Sequence, residues 1–502
     1  MPVLKRATSS LLIVFLILLS SVTWAQQSKT ITILHTNDMH AGFLPHEAIW
    51  RKENPKPLVG GFSELSFVID SIRKSKPVLL LDAGDVMTGN PITEYVHKGA
   101  FGGALFEMMN KIGYDAWCFG NHDLDISQQN LKKLTKIAKF PTISANVVDD
   151  KGQYPFNNKK YIIIKRNGIR IGIVGIMSQS LYSLVNQNNL KGIKVLSPIE
   201  TAQKLIDAID PKTDLIIALT HEGVDDDSVL AANVTGLDLI IGGHSHTRLT
   251  KPKVVNGVII EQAGSNCENL GELDLTVEND QVTDYNGKLI QLWYRGDRPK
   301  NNLTKFIDSF KEKIDKDYSE VIGELKTDWK RTNEESNIGN FITDAQRQAV
   351  HADIAFMNNH GMRKDLTAGP ITRMELFEIL PFRNVLTTFQ LSGKQVKSVV
   401  EFYIKRRPPI QTSGITCNWG GNRDGEIKIT NLEINGEPFE EDKMYICTTN
   451  DYLAGEAKRH LGLEPRQVIY LNMTLFNEVE KAVINTKVID SRVENRIKKV
   501  ED

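Results

Sequence analysis

Five short stretches of this 502-residue chain hold side chains suited to catalysis: Asp38-Met39-His40, Gly84-Asp85, Gly120-Asn121-His122-Asp123, His221-Glu222 and Gly243-His244-Ser245-His246. Each directly follows an apolar, strand-like run. Singly they say little, because an isolated Asp-x-His is more often a turn and a lone Gly-His-Ser-His can be a hydrogen-bonded loop. Together they offer carboxylates, an amide and several imidazoles in one order. That mixture of nitrogen and oxygen donors suits divalent transition metals such as Zn, Mn, Co or Fe, not an all-oxygen calcium cage. The simplest arrangement is a pair of ions bridged by one carboxylate. Asp85 is the natural bridge, with Asp38, His40 and His246 completing one site and Asn121, His221 and His244 the other. Two ions roughly 3.5–4 Å apart can share a water-derived nucleophile and clamp the oxygens of a phosphate during in-line displacement. Imidazoles bind metal only when neutral, so affinity should fall in acid. His122 is left over, and Asp125 lies three residues on, where a carboxylate can orient an imidazole and stabilise its cation. His122 is then expected to protonate a leaving oxygen or stabilise the transition state, with Asp82 and Asp123 in supporting roles. Gly84, Gly120 and Gly243 fit loops whose backbone passes close to a bound ion.

These stretches need strands to carry them. Strands are predicted at Ile31–His35, Val78–Asp82, Ala116–Phe119, Pro141–Asn146, Tyr161–Lys165, Ile169–Ile176, Leu215–Thr220, Leu237–Ile241 and Val258–Gln262. Several are β-branched runs without alternation, as expected of strands covered on both faces. Helical patterns at Phe62–Ile72, Phe101–Ile112, Leu131–Ala138 and Ile199–Ile209 lie between them, so the region to about Val277 reads as a layered α/β domain. In open α/β sheets ligands gather beyond the carboxyl ends of strands, which would bring all five stretches to one rim. A polar stretch at Tyr294–Asn302 and a charged helix from about Leu303 to Asp317 read as a linker and connecting helix. A second mixed α/β pattern begins at Val321. Its helices are expected near Ile338–Val350, Arg373–Ile379 and Gly393–Tyr403, and its strands at Ile354–Met357, Val385–Gln390, Ile427–Ile434 and Met444–Thr449.

Composition narrows the function further. The formal net charge is −1, with 25% charged and 41% hydrophobic residues, which excludes wholesale disorder and gives no basic stripe for nucleic acid. Lys5 and Arg6, the apolar run Leu11–Leu19 and the small residues before Ala25 form the pattern of a secretory signal peptide, cleaved near Ala25. The run is short for a membrane span, so no stable membrane anchor is expected after cleavage, and the protein is expected to be periplasmic or secreted. Four cysteines permit disulfides in such a compartment, and Cys417–Cys447 is the candidate pair.

With these residues in view, the chain resembles the secreted 5′-nucleotidase family of calcineurin-like metallophosphoesterases. The signature D-x-H, GD, GNH[DE], H, GHxH is present in order, and the resemblance covers nearly the whole mature chain. It implies a layered metallophosphoesterase α/β sandwich over 29–295, a linker and connecting helix over 296–320, and a mixed α/β substrate-binding domain over 321–502, after a signal peptide over 1–25. It also implies two divalent metal ions (Zn, Mn, Co or Mg) and a small-molecule nucleotide substrate. Asn358, Arg363, Phe382, Asn384, Gly414 and Tyr452 are implied as substrate-binding residues, Phe382 and Tyr452 as the aromatic pair around the base. Two departures stand out. His360 occupies a position where the family has glycine, and the stretch after Tyr452 lacks the family's ribose-binding Asp, leaving Glu456 as its candidate substitute. The expected reaction is hydrolysis of a nucleoside 5′-monophosphate by a water bridging the two metals. UDP-sugar pyrophosphatase, 2′,3′-cyclic nucleotide phosphodiesterase and a non-nucleotide phosphoesterase remain alternatives. A non-catalytic binding protein would need a broken metal set, and this one is complete.

Overall fold

Val78–Asp82 has no polar residue before its last, and the reason is architectural. In the computed structural model, which describes residues 28–407 and 410–500, this strand is covered on both sides. The expected signal peptide lies outside the described residues. Lys29–Thr36, Val78–Asp82 and Ala116–Trp117 run parallel, and the antiparallel strands Asn269–Glu278 and Gln281–Gln291 complete a five-stranded sheet. A six-stranded sheet has Ile169–Met177, Leu215–His221, Leu239–Ile241 and Val258–Glu261 as its parallel centre. The two sheets pack face to face. Ile31, Ile33, Leu79 and Leu81 meet Ile171, Ile173, Ile217 and Leu219 in one shared core. The alternate residues face outward, as the period of two in a strand requires. Leu34 and Leu80 join the core under helices Phe62–Arg73 and Gly103–Ile112, while Ile216 and Ala218 pack under Pro198–Ile209 and Val224–Asn233.

Three readings of this region change. Pro141–Asn146 forms no ladder, because Ile143, Ser144 and Ala145 donate in turn to Trp117, Lys159 and Gly175, three different neighbours. Ala116–Phe119 shortens to Ala116–Trp117, after which the chain turns into the site. The hairpin ending in Gln291 was not anticipated; Asn279 and Asp280 both adopt positive φ at its tip, the geometry that a tight two-residue hairpin turn demands. Helix Asn302–Tyr318 buries Leu303, Ile307 and Ile314 in the core that holds Leu34, so it is packed as well as connecting.

From Val321 a five-stranded mixed sheet runs in the order Ile410–Ser413, Ile354–Asn358, Met444–Asn450, Val385–Ser392, Ile469–Thr474. Phe356 and Phe389 pack on one face with helix Gly393–Arg406, and Met357 and Leu386 on the other with Asn337–Ala349 and Leu475–Thr486. The candidate disulfide is not formed. Cys417 pairs in register with Leu432 and Ile497, whereas Cys447 pairs with Ile354 and Phe389 in a different sheet, and all four cysteines are free and buried. No helix among the described residues is long and apolar enough to cross a membrane.

Candidate active site

All five stretches reach one end of the sandwich, but from two sheets. Asp38, Asp85 and Asn121 follow the three parallel strands of the first sheet; His221 ends a strand of the second, and His244 and His246 follow the next. The loops are tied together by backbone hydrogen bonds from Asp38 N to Gly84 O (2.8 Å) and from His40 N to Asp85 O (2.9 Å). The carboxylate of Asp123 accepts from the N–H groups of Asp85, Val86, Met87 and Gly120, which confirms its supporting role. Asp38, His40, Asp85, His244 and His246 all have positive φ, a conformation that non-glycine residues hold only where surrounding structure enforces it.

The side chains form two groups, Asp38 with His40 and His246, and Asp85 with His221 and His244, each with its donor atoms within 4.8 Å of one another. Their chemistry fits cations. His221 Nδ1 faces the Ala83 carbonyl at 2.7 Å, so that nitrogen carries a proton. Nε2 then faces Asp85 Oδ2 at 3.1 Å and Asn121 Oδ1 at 3.3 Å, two oxygens with no proton of their own to offer. Burial would lower the His221 pKa, but the Asp85 and Asp38 carboxylates outweigh it and raise it to about 10, so this spot calls for positive charge. In the first group, His40 Nδ1 faces the Thr88 carbonyl at 3.1 Å, which aims Nε2 at His246 Nε2 3.0 Å away; His246 in turn lies 3.5 Å from Asp38 Oδ1. Burial holds His40 and His244 down at about 4, neutral as metal ligands must be. Asn121 Oδ1 also lies 3.1 Å from His244 Nδ1, which places it with the second group.

His122 stands beside both groups without joining either. Its Nδ1 meets Asp125 Oδ2 at 2.8 Å, and Thr88 Oγ1 donates to the same oxygen at 2.7 Å. Burial opposes protonation here, yet Asp125 and Asp85 outweigh it and raise the His122 pKa to about 9. Its backbone N–H donates to Asp85 Oδ1 at 2.7 Å. The glycines let backbone and candidate ligand side chains approach closely: a Cβ on Gly120 would lie 2.1 Å from Asp85 Oδ1. Gly120→Ala must therefore displace that carboxylate. Metal affinity is expected to fall about 10- to 100-fold, the loss typical of disturbing a ligand's support, read by titration of metal-free protein.

The second domain closes over this end. One cleft with a cavity volume of about 290 Å³ is lined by Asp85, Asn121, His122 and His246 on one side and by Asn358, Arg363, Phe382, Asn384 and Tyr452 on the other. The Phe382 ring stacks on the His122 imidazole with centroids 5.7 Å apart and 21° between planes, and the Arg363 guanidinium lies 5.8 Å from the Phe382 centroid. Two expectations fail. Gly414 lies away from the cleft, in a turn beside Asp344 and Arg347; its φ is +79° and a Cβ would meet Asp353 O at 2.0 Å, so backbone geometry explains the glycine. Glu456 does not line the cleft either. Sequence reasoning missed Asn37, whose amide holds Asp38 Oδ2 at 2.7 Å, and Asn186 and Asp451, which do line the cleft. Asp451 directly precedes Tyr452, whereas nothing in the sequence around Asn186 marks it.

Comparison with known proteins agrees with this arrangement. Residues 31–248 match the calcineurin-like phosphoesterase family and residues 321–460 the 5′-nucleotidase C-terminal domain. The chain is 29% identical to the trifunctional nucleotide phosphoesterase protein YfkN of Bacillus subtilis over 94% of its own length, although it spans only 35% of that longer protein. It is 28% identical to protein UshA of Escherichia coli over 96% of both chains. The crystal structure of a 5′-nucleotidase precursor from Thermus thermophilus superposes with a TM-score of 0.78 at 26% identity, covering 94% of this chain and 99% of that one. Two matched domains in the same order, over a cleft that carries the His/Asp clusters, lead to one conclusion: the chain belongs to the 5′-nucleotidase family and is a metallophosphoesterase-type hydrolase.

Proposed function

We propose that this protein hydrolyses nucleoside 5′-monophosphates outside the cytoplasm to nucleoside and phosphate. The observation that carries the reading is the single cleft shared by the two His/Asp clusters and the aromatic side chains Phe382 and Tyr452. Asp38, His40 and His246 would hold one divalent ion and Asn121, His221 and His244 the other, with Asp85 between them. Bound there, Zn, Mn, Co or Mg supplies Lewis acidity and an activated water. His122 donates its Nε2 proton to the departing ribose oxygen while Asp125 holds Nδ1. Arg363 and Asn358 face the substrate from the second domain, and Phe382 and Tyr452 offer faces on which a base stacks, an interaction of about 1–3 kcal/mol per base. The likeness to a trifunctional nucleotide phosphoesterase and to UshA supports a nucleotide substrate.

A second reading, a phosphoester without a nucleoside, is favoured by one observation: no carboxylate from the stretch after Tyr452 reaches the cleft to hold a ribose. Phosphate release from AMP, UMP, UDP-glucose, 2′,3′-cyclic AMP and p-nitrophenyl phosphate, by metal-free and Mn- or Zn-loaded protein, separates the two. Metal-dependent turnover of AMP or UMP far above the nitrophenyl ester is the expected result. Turnover of the nitrophenyl ester alone overturns the nucleotide reading and leaves the metal site standing.

A further inference from the structure

The two domains meet across the cleft through a short chain of hydrogen bonds. Asn186, in the first domain, donates from Nδ2 to Asp451 Oδ2, at the start of helix Asp451–Gly455 in the second. Asn384 Nδ2 donates to the other oxygen, Asp451 Oδ1, at 2.8 Å. Asp451 is 7% exposed, and its Oδ1 also accepts the Tyr452 N–H at 3.0 Å. On the first-domain side, Asn186 caps the short helix Gln187–Leu190 by accepting from Asn188 N at 2.9 Å, and Asn189 in that helix donates to the carbonyls of Leu124 and Asp125 at 3.0 and 2.9 Å. On the second-domain side, Asn384 lies two residues from Phe382, whose ring stacks on His122. The contacts thus form a closed circuit, from His122 through Asp125, Asn189, Asn186, Asp451, Asn384 and Phe382 back to His122.

We infer that Asn186 is a positioning residue: with Asp451 and Asn384 it latches the second domain over the metal clusters, so that closure and the seating of Phe382 and Arg363 beside His122 are one event. A charged acceptor buried between two amide donors makes a stronger bond than a neutral pair, and this one requires the two domains to hold the arrangement seen here. The inference rests on the reading that a nucleoside occupies the cleft only for its kinetic consequence; the latch itself concerns the protein alone.

Asn186→Asp tests it cleanly. Aspartate caps a helix as well as asparagine does, so the local turn keeps its bond to Asn188 N, while the lost donor is replaced by a carboxylate facing Asp451. In metal-loaded full-length protein, small-angle scattering should show a larger radius of gyration for Asn186→Asp, and Asn186→Ala should shift it in the same direction. The kcat/KM for AMP should fall about 10- to 100-fold. Turnover of p-nitrophenyl phosphate, which has no nucleoside to seat, should fall far less. The exchange N186D/D451N restores a donor opposite an acceptor and should recover both the radius and AMP turnover. An unchanged radius in Asn186→Asp overturns the latch. So does an exchange variant that melts like the parent yet recovers nothing, and so does an equal loss on both substrates, which would place the effect in the His122 loop through Asn189. If the parent protein fails on AMP, the nucleotide reading falls and the scattering series still decides the latch.

Discussion

Asp85→Asn is expected to lower turnover by more than about 100-fold, the loss seen when merely an orienting partner of a metal ligand is removed, and to reduce the bound metal below two ions per chain. Asp85 is 1% exposed and belongs to the group with His221 and His244. Its Oδ2 faces His221 Nε2 at 3.1 Å, its Oδ1 accepts the His122 backbone N–H at 2.7 Å, and its negative charge also acts on the His40 imidazole. Asparagine keeps the shape and one oxygen, but it removes the charge that favours the cationic forms of His221 and His122. It also sets an amide N–H₂ against groups chosen to face an anion. Metal analysis by emission spectroscopy alongside steady-state kinetics reads both consequences. Full activity with two ions retained would remove Asp85 from the bridging position.

His122→Ala separates proton donation from metal binding. With both donor groups intact, metal content should stay at the parent level while kcat for AMP falls about 10²- to 10⁴-fold, the usual contribution of a positioned general acid. The loss should be smaller for p-nitrophenyl phosphate, because nitrophenolate departs without needing a proton. That dependence on the leaving group distinguishes a proton donor from a group that only stabilises charge on phosphorus, whose removal would slow both esters alike. If metal is lost instead, His122 is a ligand. If turnover is unchanged for both esters, its role is confined to the stack with Phe382.

Much of the molecule could be read from local pattern. The parallel strands of the first sheet, the helices between them and the seven elements expected after Val321 appear within three residues of their expected places, because each is a continuous apolar or periodic segment with its own turn signals. Some elements that escaped were short or polar, although the buried strand Asn269–Glu278 and the helix Leu475–Thr486 escaped as well. Val224–Asn233 opens with three consecutive aspartates, and Gln281–Gln291 is largely exposed. The candidate ligands were legible because histidine, aspartate and glycine directly after an apolar run are rare enough in combination to mean something. Gly414 was misplaced because its glycine answers to a positive φ, a need that looks the same in sequence whether or not a substrate is near.

The sequence by itself determined which side chains are candidates for the chemistry and that each sits at the carboxyl end of a strand, since strand direction and the residue after it are properties of neighbouring positions along one chain. Only the tertiary structure decided how those ends are shared. Three belong to one sheet and two to another, and they meet because Ile31, Ile33, Leu79 and Leu81 bury the same face against Ile171, Ile173, Ile217 and Leu219. The apolar runs are equally compatible with one wide sheet, because burial on both faces does not record what covers each face. The same holds for the cleft. Asn186 and Asp451 are 265 positions apart, Phe382 and His122 nearly as far, and no local preference links them; they are joined by the way one domain's surface fits the other's.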